Sequence, residues 1–303
     1  MLWIDTDMGF DDMLAVLMVR HAGRDIAGVS LVFGNAPLGQ VRRNAADAAA
    51  LFGWTFPIHD GAARPILGEA VTAGSVLGPT GIPTRGRQLP PGPDLPASPA
   101  LAALAGRLEA DAGPAEILAL GPLTNIAILS LARPDLAERI GRITWMGGGA
   151  TRGNHTASAE FNAFADPEAL AIVLQSGRPF RMIDLDVCRQ VLVGPEDVER
   201  LPADSERAAL LADLLGGYVD IALSRGRPAM ALYDPVAAAA VVDEASIAFA
   251  PTLIEVELSG RLTRGRTVVD QRAGVTPNAE IGLSADADRI RRLAFDALAG
   301  AAA

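Results

Sequence analysis

The stretch LWIDTDMGFDDMLAVLMV, residues 2–19, decides how the chain folds. Its opening, LWID, is a short apolar run that reads as a buried strand. The segment DDMLAVLMVRHAG has apolar residues at helical spacing, acids at its start and Gly23 at its end, so it reads as a helix. Asp5, Asp7, Asp11 and Asp12 crowd the junction of the two. Further along, IAGVSLVF reads as a second strand and VRRNAADAAALFG as a second helix, stopped by Gly53. This β-α-β-α order predicts a Rossmann-like α/β fold, with a mainly parallel central sheet and helices on both faces.

The rest of the chain extends the pattern. EILAL, RITWMGG and FRMIDLDV look like buried strands, and LTNIAILSLA, DPEALAIVLQSG and SERAALLADLLGGYVDIALSRG look helical. PTLIEVELSGRLTRGRTVVD reads as a late hairpin, and the terminal LAGAAA as a frayed helix end. Residues 61–99 are rich in Gly, Pro and Ala; so long an irregular stretch in a compact domain is usually functional or disordered, and a mobile flap near a site is expected. There is no internal repeat and no linker, so residues 1–303 are read as one domain.

Composition narrows the function. The 303 residues are 50% hydrophobic, enough for a large core. There is no apolar run of membrane-spanning length and no signal-peptide pattern, so a soluble cytoplasmic protein with no membrane partner is expected. The net charge of −10 argues against nucleic acid held on a basic face. A single cysteine, Cys188, excludes an internal disulfide and a cysteine metal cluster. Every basic side chain besides the three histidines is arginine; the chain has no lysine.

In an open parallel sheet, ligands bind beyond the carboxyl ends of the strands, where Asp7, Asp11 and Asp12 fall. Helix capping explains one or two acids there. It explains four poorly, because crowded carboxylates repel one another, whereas a hard divalent cation removes that repulsion. With no Cys or His nearby, the ligands would all be oxygen, which favours Ca²⁺ or Mg²⁺ over Zn²⁺. One chemistry for such a turn is a Mg²⁺-dependent phosphatase of haloacid-dehalogenase type, with Asp5 as nucleophile and Asp7 as acid. That type normally needs a downstream basic residue, most often lysine, and has Thr or Val where this chain has Gly9.

DTDMGFDD resembles, instead, the Asp-x-Asp-x-Gly-x-Asp-Asp motif of the nucleoside hydrolases. Further blocks follow in that family's order: VFGNAPLGQVRRNA with Asn35, LALGPLTNIA, WMGGGATRGN with AEFNAFADPEA, and YDPVAAA. The resemblance implies the nucleoside hydrolase fold and hydrolysis of the N-ribosidic bond of ribonucleosides to free base and ribose, with Ca²⁺ as cofactor and water on the metal as nucleophile. It implies Asp7, Asp12, the main-chain carbonyl of Leu120 and Asp234 as metal ligands, completed by the ribose 2′- and 3′-hydroxyls and a water. Asp7 would take the water's proton. Asp11 and Asn162 would hold ribose hydroxyls, Asn154 and Glu160 the 5′-hydroxyl side, and Met146 would pack near the sugar; Asn35 also matches a site position. A homodimer or homotetramer is implied as well.

Each residue also has a plainer role open to it. Asn35 and Asn154 follow glycines and suit turns. Glu160 and Asn162 suit a helix cap, Met146 a core position, and Asp234 before Pro235 an N-cap. The chain departs from the family's best-known members by carrying Tyr233 where they have a histidine that protonates the leaving base, and the flap has no histidine either. Tyr233 is the replacement donor by position, although an ordinary phenol is a poor acid at neutral pH. Arg225 and Arg227 are candidates to polarise the base. Trp3, Trp54 and Trp145 read as core, and His155 reads equally as site or loop surface. The other class of reading is a nucleoside- or ribose-binding homologue that keeps the metal site without fast turnover.

Overall fold

The computed structural model describes residues 1–202 and 204–303. Eleven strands occur among them: β1 (Leu2–Thr6), β2 (Ile26–Leu31), β3 (Ile58–Asp60), β4 (Ala115–Ala119), β5 (Ile140–Met146), β6 (Phe180–Ile183), β7 (Leu192–Val193), β8 (Met230–Ala231), β9 (Ile247–Val256), β10 (Thr267–Asp270) and β11 (Ala279–Ala285). Nine form one sheet in the order β10-β9-β11-β6-β5-β4-β1-β2-β3, while β7 and β8 pair apart. From β11 to β3 every pairing is parallel; β9 and β10 add an antiparallel edge.

Side chains alternate across this sheet, so each face has its own core. Leu2, Ile4, Leu118 and Leu120 pack with the helices Phe10–His21, Leu38–Phe52, Glu206–Ser224, Asp234–Val242 and Ala287–Ala302. Trp3, Ile117, Ala119 and Trp145 pack on the other side with the helices Ala100–Ala110, Thr124–Ala132 and Pro167–Gln175. The helix-covered parallel sheet read from the sequence is therefore the observed architecture.

Strand order positions the site. The chain runs outward through β1, β2 and β3, then returns to lay β4 on the other side of β1. The carboxyl ends of β1 and β4 thus flank a crevice at which the winding reverses, where α/β sheets bind ligands. The acidic turn after β1 opens into it.

Several local expectations change. FRMIDLDV does not run on as a strand: β6 stops at Ile183, and the Asp184 carboxylate caps a single helical turn, Leu185–Cys188, by accepting from the Asp186 and Val187 amides. The late hairpin forms as β9 and β10, but β11 lies between β9 and β6 and ties it into the main sheet. The tail LAGAAA is helical to Ala302, its helix buried through Ile290, Ala294, Ala297 and Leu298. Residues 61–99 contain one short helix, Gly74–Leu77. No helix among the described residues is long and apolar enough to cross a membrane.

Candidate active site

The acidic turn is built by its own backbone. Met8 takes a positive φ of 37°, unusual for a residue with a side chain, and throws the chain from β1 into the helix Phe10–His21. Thr6 Oγ1 accepts from the Met8 amide at 3.0 Å and donates to Asp12 Oδ1. The other oxygen, Asp12 Oδ2, accepts from the Gly9 amide at 2.8 Å, capping the helix. Asp12 is thus both a cap and part of the cluster.

Asn35, after β2, binds the acids together. Its backbone N–H donates to Asp7 Oδ2 at 2.7 Å, and its Nδ2 lies 3.1 Å from Asp7 Oδ1 and 3.0 Å from Asp12 Oδ2. Close approach requires glycine on both sides: a Cβ at Gly34 would sit 2.0 Å from Asp7 Oδ2, and one at Gly9 would sit 2.6 Å from Asn35 Nδ2. Asp234 enters from the first turn of its own helix, with Pro235 behind it.

Carboxylate oxygens of Asp11, Asp12 and Asp234 lie within 4.8 Å of one another. Asp7 stands beside this trio, linked through Asn35 and coupled by charge to Asp12. No arginine pairs with any of the four among the described residues. Burial, then repulsion from Asp12, pushes the Asp7 and Asp234 carboxyls well above the usual range, and the same two causes lift Asp11 to about 7. Such a buried, uncompensated, all-oxygen cluster fits a hard divalent cation.

The acids form the floor of an open cleft. Of the eleven positions that the family resemblance or Tyr233's place implies, ten line it: Asp7, Asp11, Asn35, Leu120, Met146, Asn154, Glu160, Asn162, Tyr233 and Asp234; Asp12 lies just beneath. Asn162 Nδ2 donates to the carbonyls of Leu120 and Met146, at 2.8 and 3.0 Å. Both amide hydrogens are committed, so only Oδ1 is left for a ligand. Asn154 accepts from the Phe161 amide through Oδ1, which leaves its NH₂ free. Glu160 accepts from the amides of Gly148, Asn162 and Ala163, capping Phe161–Ala165, and burial raises its pKa to about 7. Burial likewise pushes the Tyr233 phenol up to about 12.

Asp5 takes no part in the cleft. It points to the opposite face of β1, where it accepts from Ser30 and Asn125. A nucleophilic Asp5, as the phosphatase reading requires, is excluded by this burial.

The sequence reading missed Tyr218, whose hydroxyl lies 3.1 Å from Asp11 Oδ2 and 2.8 Å from the Ala231 carbonyl. Tyr218, Ile221, Ala222 and Arg225 all line the cleft from one helical face. Their i, i+3, i+4, i+7 spacing was a signal available in the sequence. Ala73, Ser75, Val76 and Leu77, within the segment expected as a flap, close one wall.

The family model for inosine-uridine preferring nucleoside hydrolase matches residues 2–292. The chain is 34% identical over 293 residues to the non-specific ribonucleoside hydrolase RihC of Salmonella typhimurium, covering 95% of this chain and 94% of the relative. Its structure is similar to that of a purine-preferring ribonucleoside hydrolase from Gardnerella vaginalis, with a TM-score of 0.91, 26% identity, and coverage of 99% and 98% of the two chains. An inosine-guanosine nucleoside hydrolase superposes with a TM-score of 0.88 at 26% identity, over 98% of each chain. Matched from its first strand to its last helix, the chain belongs to the inosine-uridine preferring nucleoside hydrolase family.

Proposed function

We propose that the protein hydrolyses the N-ribosidic bond of ribonucleosides in a Ca²⁺-dependent reaction. The observation that carries this reading is the four-carboxylate floor, without a cationic partner among the described residues, beneath an open cleft. The residues that would hold the cation are Asp7, Asp12, Asp234 and the Leu120 carbonyl, with Asp11 close enough to join or to take a ribose hydroxyl. A bound divalent cation supplies a more acidic water and a charge that orients the ribose diol.

The chain's own groups do the rest. Asp7, held at both oxygens by Asn35, accepts the proton of the attacking water. Asp11 and the free Oδ1 of Asn162 accept from ribose hydroxyls. The Asn154 NH₂ and the Glu160 corner hold the 5′-hydroxyl side, and Met146 packs against the sugar. As the bond breaks, positive charge develops on the ribosyl ring, and the carboxylates beneath it stabilise that charge. Tyr233 offers a hydrogen bond to the base. Assembly as a homodimer or homotetramer, residence in the cytoplasm, and no membrane or nucleic-acid partner complete the reading; sedimentation checks the assembly.

The test is ribose release from inosine, adenosine, guanosine, uridine and cytidine, with and without a chelator. Release that a chelator abolishes and Ca²⁺ restores is expected. Release that survives chelation overturns the metal assignment; calcium binding without release from any nucleoside favours the binding-protein reading.

A further inference from the structure

Among the described residues, the base end of the cleft lacks an acid matched to protonating a leaving base. Tyr233 lines the cleft there, but a phenol is a poor acid at neutral pH. Tyr218 is committed to Asp11 and the Ala231 carbonyl. His155 also lines the cleft, but it follows Asn154 on the 5′ side, its ring centroid 4.4 Å from that of Phe164 and 5.4 Å from that of Phe161. Burial lowers its pKa, so it is a neutral imidazole at neutral pH.

What the base end does carry is cationic. Arg225 and Arg227 line the cleft from the turn that follows the helix Glu206–Ser224, whose Ala222 carbonyl accepts from both backbone amides. Neither guanidinium has an ion-pair or hydrogen-bond partner among the described residues. Arg189, by contrast, is tied to Asp186 and the Gly153 carbonyl. A guanidinium is a donor and a fixed charge, and it does not give up its proton.

We infer that Arg225 and Arg227 stabilise the departing base as an anion, in place of a proton donor, so that the preferred substrates are ribonucleosides of acidic, oxo-substituted bases. The inference rests on the hydrolase reading and specifies its leaving-group side. In the step, the water oxygen bonds to C1′ and its proton passes to Asp7. The C1′–N bond breaks with its electron pair going to the base nitrogen. The anionic base, held by the guanidiniums, takes its proton from solvent on leaving. Electrostatic stabilisation of developing charge by fixed donors is a large contribution in closed sites and a smaller one at an exposed rim.

The experiment measures kcat/KM for xanthosine, inosine, uridine and cytidine, with 4-nitrophenyl β-ribofuranoside as a neutral substrate whose leaving group needs little help. The wild type should favour xanthosine and place cytidine last. In Arg225→Met/Arg227→Met, the ratio of inosine to 4-nitrophenyl riboside turnover should fall by about tenfold or more. These arginines are exposed, so the variant is expected to fold. Tyr233→Phe and His155→Phe should move the ratio less than the arginine pair does. A ratio unchanged in the arginine variant, or one that falls mainly in Tyr233→Phe or His155→Phe, overturns the inference while the hydrolase reading stands. No cleavage of 4-nitrophenyl riboside or of any nucleoside overturns both.

Discussion

Asp7 shows how one residue depends on the space around it. Its two oxygens are each held by Asn35, so its direction is fixed before substrate arrives. Asp7→Asn keeps the shape but removes the proposed base, and kcat should fall about 10²- to 10⁴-fold in a steady-state assay. Gly34→Ala tests the geometry instead. Its methyl would sit 2.0 Å from Asp7 Oδ2, so the carboxylate must move. Activity should drop at least tenfold, and thermal unfolding should show a cost on the order of 1–3 kcal/mol for the overpacking. Near-normal kcat in Gly34→Ala would mean that Asp7 is free to shift without consequence. At this scale the sequence was informative about identity and silent about partners. Asn35 was named as a site residue, but its hold on Asp7 and Asp12 follows from strand order, which no local pattern encodes. Tyr218 went unread because a tyrosine within a long amphipathic helix looks like core.

Among the elements, the irregular segment 61–99 gains most from the structure. Its later half is tied down: Arg43 pairs with Asp94, the Gly92 amide donates to Asp47, and Arg85 forks onto Asp220 at 2.7 and 2.8 Å. The turn 73–77 meets the cleft wall and, among the described residues, is hydrogen-bonded to the body only through the Ala73 amide, which donates to the Gly34 carbonyl at 3.0 Å. Movement of the segment, if it gates the cleft, therefore belongs to that turn, and hydrogen exchange should be faster at 66–81 than at 82–95. The Arg85–Asp220 pair also gives a pH dependence. The hydrogen bond from Arg85, and then its charge, hold the Asp220 carboxyl below the ordinary range. The unfolded chain thus binds more protons than the folded one as pH falls. The contribution is complete above an ordinary Asp pKa of about 4 and lost as pH drops through the folded value. Both side chains are more than a third exposed, so screening limits the pair to about 0–1 kcal/mol. In Asp220→Asn, protection at 82–87 should fall at neutral pH, and the stability difference from wild type should close below about pH 4; a difference that widens there would contradict the pairing. None of these anchors was legible, because Gly, Pro and Ala advertise the lack of regular structure and say nothing of what an arginine between them will meet.

On the scale of the whole molecule, the parallel sheet was legible because buried parallel strands are nearly continuous apolar runs between helical patterns. β11 was not, since AEIGLSA is interrupted by glycine and exposed at Leu283 and Ser284, and its pairing with β6 and β9 makes it a strand. That sheet has a consequence for stability. It brings the acids of two distant segments, Asp7 to Asp12 and Asp234, into one buried cluster, and their mutual repulsion is a cost the fold bears without a counter-ion. A cation that binds the folded chain and not the unfolded one must then stabilise it by mass action, about 2.7 kcal/mol at a hundredfold excess over Kd. Scanning calorimetry should show the unfolding temperature rising by several degrees between chelator and saturating Ca²⁺, with Mg²⁺ weaker because it demands a tighter octahedral shell. Asp234→Asn removes one repelling charge and one ligand together. It should leave the metal-free protein no less stable and abolish most of the Ca²⁺ increment. An increment that persists in Asp234→Asn would place the cation elsewhere, and the absence of any increment in the wild type would leave the four carboxylates to share protons instead of a metal.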